Sequence, residues 1–176
     1  ALALWQIVQM KFSAPKISSQ STFKFAASLS SILMKITPSS RNKFRAKSYR
    51  ELVDSPYLAA PKIHSHRWKS GGAIFYLQGI GAKTHFSDRL VNAYQKFVAY
   101  QLAYMGEFPV REYRFMLWIC PKPFYHGVEH TKSTMMVLGP EDRDSYEDLI
   151  GLGSHELCHV WNVATIRAQA LLPYDY

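Results

Sequence analysis

Cysteine is scarce in this chain: Cys120 and Cys158 are the only two, and two cannot make a disulfide framework. Long apolar runs are missing as well. No stretch approaches the roughly 20 apolar residues that a membrane-crossing helix needs, so no membrane span is expected. The opening ALALWQIVQM is apolar but lacks a basic leader and a small-residue cleavage site, and does not read as a signal peptide. The chain begins at Ala1 rather than at Met, as expected of a processed or excised product. There is no internal repeat. Acidic residues are outnumbered, 13 against 21 Lys and Arg, which leaves a formal charge of +8. Such a surplus raises the question of nucleic acid. The basic residues, however, are scattered from Lys11 to Arg167, and their densest cluster, Lys35 to Arg50, is mixed with Ser, Pro and Asn. Dispersed charge is a solvated face, and no nucleic-acid partner is expected. What remains is 48% apolar and 19% charged over 176 residues, a globular composition with enough chain for one good core, or for one domain and part of another.

Residues 1 to about 45 carry short apolar runs, LWQIV, STFKFAA and SILMKI, among serines and aromatics, and these read as strands of a small β region. SYRE (48–51) is a capping box opening a short helical turn before Asp54-Ser55-Pro56. The proline turns the chain out of helix, and a domain boundary is expected there. IHSHRW (63–68) and GAIFYLQGI (72–80) predict two strands joined at Lys69–Ser70–Gly71. Residues 85–107 predict a helix, capped by Ser87, with Leu90, Val91, Tyr94, Phe97, Val98, Leu102 and Met105 at helical spacing. YRFMLWIC (113–120) is apolar on both faces, as a central strand must be. PKPFYHGVEH (121–130) predicts a loop leading into a sheet edge, STMMVL (133–138) another strand, and GPEDRD (139–144) a turn. A helix is expected from Ser145 through HVWNVATIR, interrupted or loosened at Gly151 and Gly153. Strands around one long helix, followed by a second helix, make an α+β arrangement.

The chemistry concentrates in SHELCHVWN (154–162). On a helix, His155 and His159 stand one turn apart on one face, the geometry of two imidazole ligands to a single Zn²⁺. Glu156 sits beside the first ligand without joining it. Zinc lowers the pKa of a bound water to about 7 and polarises a peptide carbonyl, and Glu156 as general base takes the water's proton. The competing reading is two histidines on a solvated helix face; the motif is diagnostic only in its helical context. Asn162 shares the histidine face, where it either orients a ligand or is simply exposed. Trp161 and Cys158 read as packing residues. A catalytic zinc needs three protein ligands, yet after Asn162 there is no His, Glu or Cys, and the single acid, Asp175, lies in a loop-like LLPYDY. Either an upstream residue supplies the third ligand, or the chain stops before it.

HELCHVWN, preceded by HGVEHTKS (126–133), resembles the glycyl aminopeptidase family of zinc metallopeptidases, whose pattern is a GGLEH-type loop followed by an HExxHxWN helix. DSP (54–56) and LLPYDY (171–176) resemble the same family's flanks, so the likeness runs over roughly residues 48 to 176. The family is a gluzincin. The resemblance implies a β-rich N-terminal domain, of which residues 1–54 would be the end, and a thermolysin-like catalytic domain of mixed sheet and active-site helix, of which residues 55–176 would be the first half. A PDZ-like domain often follows. It implies a third zinc ligand, a Glu, on a helix beyond Tyr176, with the oxyanion donor also downstream.

The GVEH stretch also resembles the GAMEN-type loop of the aminopeptidase N family, in which the Glu binds the substrate's free α-amine. That role falls to Glu129, with Gly127 and Val128 beside it as substrate-binding backbone. The main chain around Gly127–Val128 and the strand Ser133–Leu138 are expected to pair with an extended peptide. His126 stands where the family often has Gly. His130 is expected to anchor the loop rather than to bind metal. The function implied is a Zn²⁺-dependent aminopeptidase that removes small N-terminal residues, Gly or Ala, from peptides. The alternatives are a same-clan endopeptidase and a non-catalytic peptide-binding module. Many relatives are bacterial and exported, which favours a periplasmic over a cytoplasmic location; nothing in the sequence sets an oligomeric state.

Overall fold

The computed structural model describes residues 26–29, 46, 48–60, 62–81, 86–139, 146–162 and 165–166. The expected strands LWQIV and SILMKI, the turn after Gly139 and the LLPYDY segment lie outside these residues. Of the expected early strands, one is described: β1 (Ala26–Leu29), overlapping the end of STFKFAA, pairs antiparallel with β2 (Tyr57–Ala60). Between them comes α1 (Tyr49–Val53), whose first turn is capped by Ser48 Oγ accepting from the Glu51 amide at 3.1 Å.

The main sheet has five strands: β3 (His64–Ser70), β4 (Ala73–Gly81), β5 (Glu112–Ile119), β6 (Tyr125–His130) and β7 (Ser133–Leu138). Their spatial order is β3-β4-β5-β7-β6. Both outer pairs are antiparallel, and the inner pairs β4·β5 and β5·β7 are parallel. The sheet is therefore mixed and the fold α+β, as expected. The long helix α2 (Asp88–Met105) makes the crossover between the parallel strands β4 and β5. Ser87 Oγ caps it by accepting from the Leu90 amide at 3.2 Å. β5 is central, which its two apolar faces require. Tyr113, Phe115 and Leu117 enter the core with α2, while Met116 joins Met135, Val137 and Leu58 on the other face.

Three local expectations are corrected. The β3–β4 turn is Gly71–Gly72, not Lys69–Ser70–Gly71. Both glycines have positive φ (55° and 79°), the conformation a two-residue hairpin demands, and Lys69 and Ser70 are thereby left in the ladder. Met105 is exposed, because Gly106 ends the helix directly after it. The last helix, α3 (Tyr146–Cys158), runs unbroken through Gly151 and Gly153.

The reason for Gly153 is tertiary. A Cβ there would lie 2.5 Å from the Tyr94 hydroxyl of α2. That hydroxyl, kept protonated by its burial, donates to the Leu149 carbonyl at 2.7 Å. Gly151 meets nothing within 4 Å. Gly153→Ala is accordingly expected to destabilise the protein by about 1–3 kcal/mol through overpacking. Gly151→Ala should instead gain up to about 1 kcal/mol of helix propensity. Urea unfolding of the two variants checks the contrast; equal midpoints would mean that the Tyr94 approach does not restrain α3.

Candidate functional site

α3 is held by α2 at several points. Tyr146 Oη donates to the Arg89 carbonyl at 2.7 Å, and Gln101 Nε2 donates to both the carbonyl (2.9 Å) and the hydroxyl (2.7 Å) of Ser154, the residue before His155. Beyond the helix, Trp161 is buried, stacks edge-on against Phe108 and donates from Nε1 to the Glu107 carbonyl at 3.0 Å. It packs, as expected. Cys158 is half-buried, and both cysteines are free.

The helix ends at Cys158, so His155 lies within it and His159 in the turn that follows. The two imidazoles nevertheless converge: their Nε2 atoms are 3.1 Å apart and their planes nearly perpendicular, at 85°. Two nitrogens that bind one tetrahedral ion at 2.0–2.1 Å lie roughly 3.3 Å apart, so the pair fits a shared metal. The main-chain carbonyl of Asn162 lies 3.4 Å from His159 Nδ1. Backbone at Asn162 thus faces His159, while the residue itself is exposed.

Glu156 is 4% exposed. Its Oε2 is buried without a hydrogen-bond partner among the described residues, and its Oε1 lies against Gly127 of β6. Burial, reinforced by the nearby Glu129 carboxylate, pushes the Glu156 carboxyl up, while His159 and His155 pull it the other way. Tyr113, fully buried beneath, donates to the Glu156 carbonyl at 3.4 Å and stays protonated by burial and by the same two carboxylates. Glu129, Glu156 and His159 each offer a ligand atom, and these atoms lie within 4.8 Å of one another. The three side chains together could hold a metal ion, and the buried, unpartnered Glu156 oxygen is a free acceptor within the group.

Glu129, Gly127 and Tyr125 share the sheet face that carries α3, since they pair with Thr134, Met136 and Leu138. The GVEH stretch is therefore strand, not loop. His126 pairs with Val137 and borders the cleft. The cleft, about 460 Å³, is also lined by Tyr125, Gly127, Gly151, Leu152, His155 and Glu156. The expectation that Ser133–Leu138 could pair with a peptide is overturned. β7 is flanked by β5 and β6, so its hydrogen-bonding groups are committed on both sides; among the described residues β6, with Gly127 and Val128, is the edge. Tyr125, Gly151 and Leu152 were not singled out from the sequence; Gly151 carried a signal, read there as a helix weakness.

The family model of the M61 glycyl aminopeptidases matches residues 148–176, the stretch that holds both histidines and Glu156. It is the family that the sequence motifs resemble. No curated protein matches the chain. Among solved structures, an aminopeptidase N family protein from Idiomarina loihiensis has the same fold, with a TM-score of 0.73 at 24% identity. The match covers 86% of this chain and 27% of that one.

Proposed function

We propose that this chain forms the front part of the catalytic unit of a zinc-dependent aminopeptidase acting on peptides with small N-terminal residues. The observation that carries the reading is the meeting of Glu129 from the sheet edge with Glu156 and His159 from the α3 end, all within 4.8 Å. The family match over 148–176 supports it. His155 and His159 would hold the zinc, with a third ligand, a Glu, from chain beyond Tyr176. A zinc ion there would supply Lewis acidity to the scissile carbonyl and lower the pKa of water to about 7.

The chain's own residues do the rest. Glu156, buried and biased toward accepting a proton, takes one from the attacking water and returns it to the leaving amine. Glu129 pairs with the α-ammonium of the substrate, which fixes the scissile bond one residue away. The main chain of β6 at Gly127–Val128 receives the peptide as an added strand. Tyr125 and Leu152 line the cleft beside Glu156 that would take the first side chain; the preference for a small residue rests on the family resemblance.

Glu129→Ala is expected to cost free-amine peptides about 1.5–3 kcal/mol in kcat/KM, the range for a hydrogen bond to a charged group. It should leave N-acetylated peptides at their basal rate. The assay compares glycyl and acetylglycyl p-nitroanilides on the full protein. Equal losses on both would favour a same-clan endopeptidase. Binding of peptide without hydrolysis of either, at saturating zinc, would favour a peptide-binding module.

A further inference from the structure

Glu129 stands near the end of an edge strand, with a neighbouring strand on one side within the sheet. Two residues later the chain turns at Thr131–Lys132. Such a strand end is where local opening is cheapest, yet an amine anchor must hold its position closely. The structure ties this end down from outside the sheet. Asp54, in the turn after α1, accepts from the Thr131 amide with both carboxylate oxygens (3.2 and 3.4 Å). Its Oδ1 is also 3.2 Å from His130 Nδ1. A second tie runs alongside, Glu51 to Lys132 at 3.9 Å. The Asp54 turn is fixed in its own right by Ser55 Oγ donating to the Glu51 carbonyl at 2.6 Å. From the β7 side, Thr134 Oγ1 donates to the Val128 carbonyl at 3.0 Å.

We infer that Asp54 is a positioning residue for Glu129: it clamps the β6–β7 turn and so fixes where the amine-binding carboxylate stands. The inference rests on the aminopeptidase reading and extends it to a motif, Asp54-Ser55-Pro56, that lies 75 residues upstream (129 − 54) and lines no part of the cleft. Asp54 is half-buried, and its burial works against the charge. The bonds from His130 and Thr131 outweigh that penalty and hold its carboxyl below the usual range. It is therefore an ionised acceptor at neutral pH, the stronger kind. His130 takes the anchoring place expected of it.

The test uses the full protein and two probes, glycine hydroxamate and N-acetylglycine hydroxamate, with inhibition constants and zinc content measured together. Asp54→Ala is expected to weaken the free-amine probe about tenfold, as small misplacements of a positioned group do. The acetylated probe and the zinc content should stay unchanged. Asp54→Asn, which keeps an acceptor for the Thr131 amide, should fall between, and it serves as the readout if the alanine variant does not fold. An unchanged preference for the free amine overturns the inference. So does a parallel loss of both probes with falling zinc, the mark of a general structural role. A parent protein with no preference for the free amine would instead remove the aminopeptidase reading itself.

Discussion

Glu156→Gln is expected to lower kcat by about 10²–10⁴-fold while zinc uptake stays at the parent level. The range is what a positioned general base contributes. The substitution is nearly isosteric, and Glu156, although it lines the cleft, is only 4% exposed, so the side chain has little room to relocate. Gln cannot accept the water's proton, which separates its basicity from its shape. The fold should not suffer. Oε2 has no hydrogen-bond partner among the described residues, so the exchange breaks no bond there, and it replaces a carboxyl whose charged form burial disfavours. Removing a charge that is buried without a hydrogen-bond partner removes a desolvation cost. A melting temperature at or above that of the parent is the expected companion result. Single-turnover kinetics on a glycyl p-nitroanilide, with zinc content measured on the same sample, decides the matter. Turnover close to the parent would show that another group takes the proton; loss of zinc along with turnover would make Glu156 a ligand rather than a base.

The parts of the fold that rest on local physics were legible in the sequence. Ser87 and the apolar spacing from Leu90 to Leu102 marked α2, and the two apolar faces of Tyr113–Ile119 marked a central strand. What was misread depended on distant partners. Gly153 looked like a weak point in a helix, because nothing nearby in sequence announces that the Tyr94 hydroxyl will lie against it. Ser133–Leu138 looked available for a peptide until its place between β5 and β7's other neighbour β6 was known. The same divide runs through the site. The four-residue spacing of His155 and His159 predicted their approach, and the turn after Cys158 preserves it. That Glu129 would meet Glu156 and His159 came from a resemblance, since it lies 26 positions before His155 (155 − 129) and only sheet topology closes the gap. The tie from Asp54 to Thr131 has no local signal at all.

Gly127→Ala should abolish most activity by another route. A Cβ at Gly127 would lie 2.7 Å from Glu156 Cδ and 2.9 Å from Leu152 Cδ1. Leu152 can yield, because the threatened atom is the end of a flexible side chain. The Glu156 carboxylate has less freedom, since it is buried between β6 and α3. Either it swings away from the cleft or the edge strand moves off the helix. A displacement on the order of 1 Å at the reacting groups costs about 100-fold, and the overpacking itself about 1–3 kcal/mol of stability. Displacement of the base predicts a specific non-additivity. In the Glu156→Gln background, Gly127→Ala should reduce kcat little further, because residues acting as one unit do not lose their effect twice. The stability cost should persist, since an amide has the volume of a carboxylate. Multiplying losses in kcat would mean that Gly127 acts on the substrate strand rather than through Glu156. Its glycine would then be there to let a peptide approach β6, not to make room for the base.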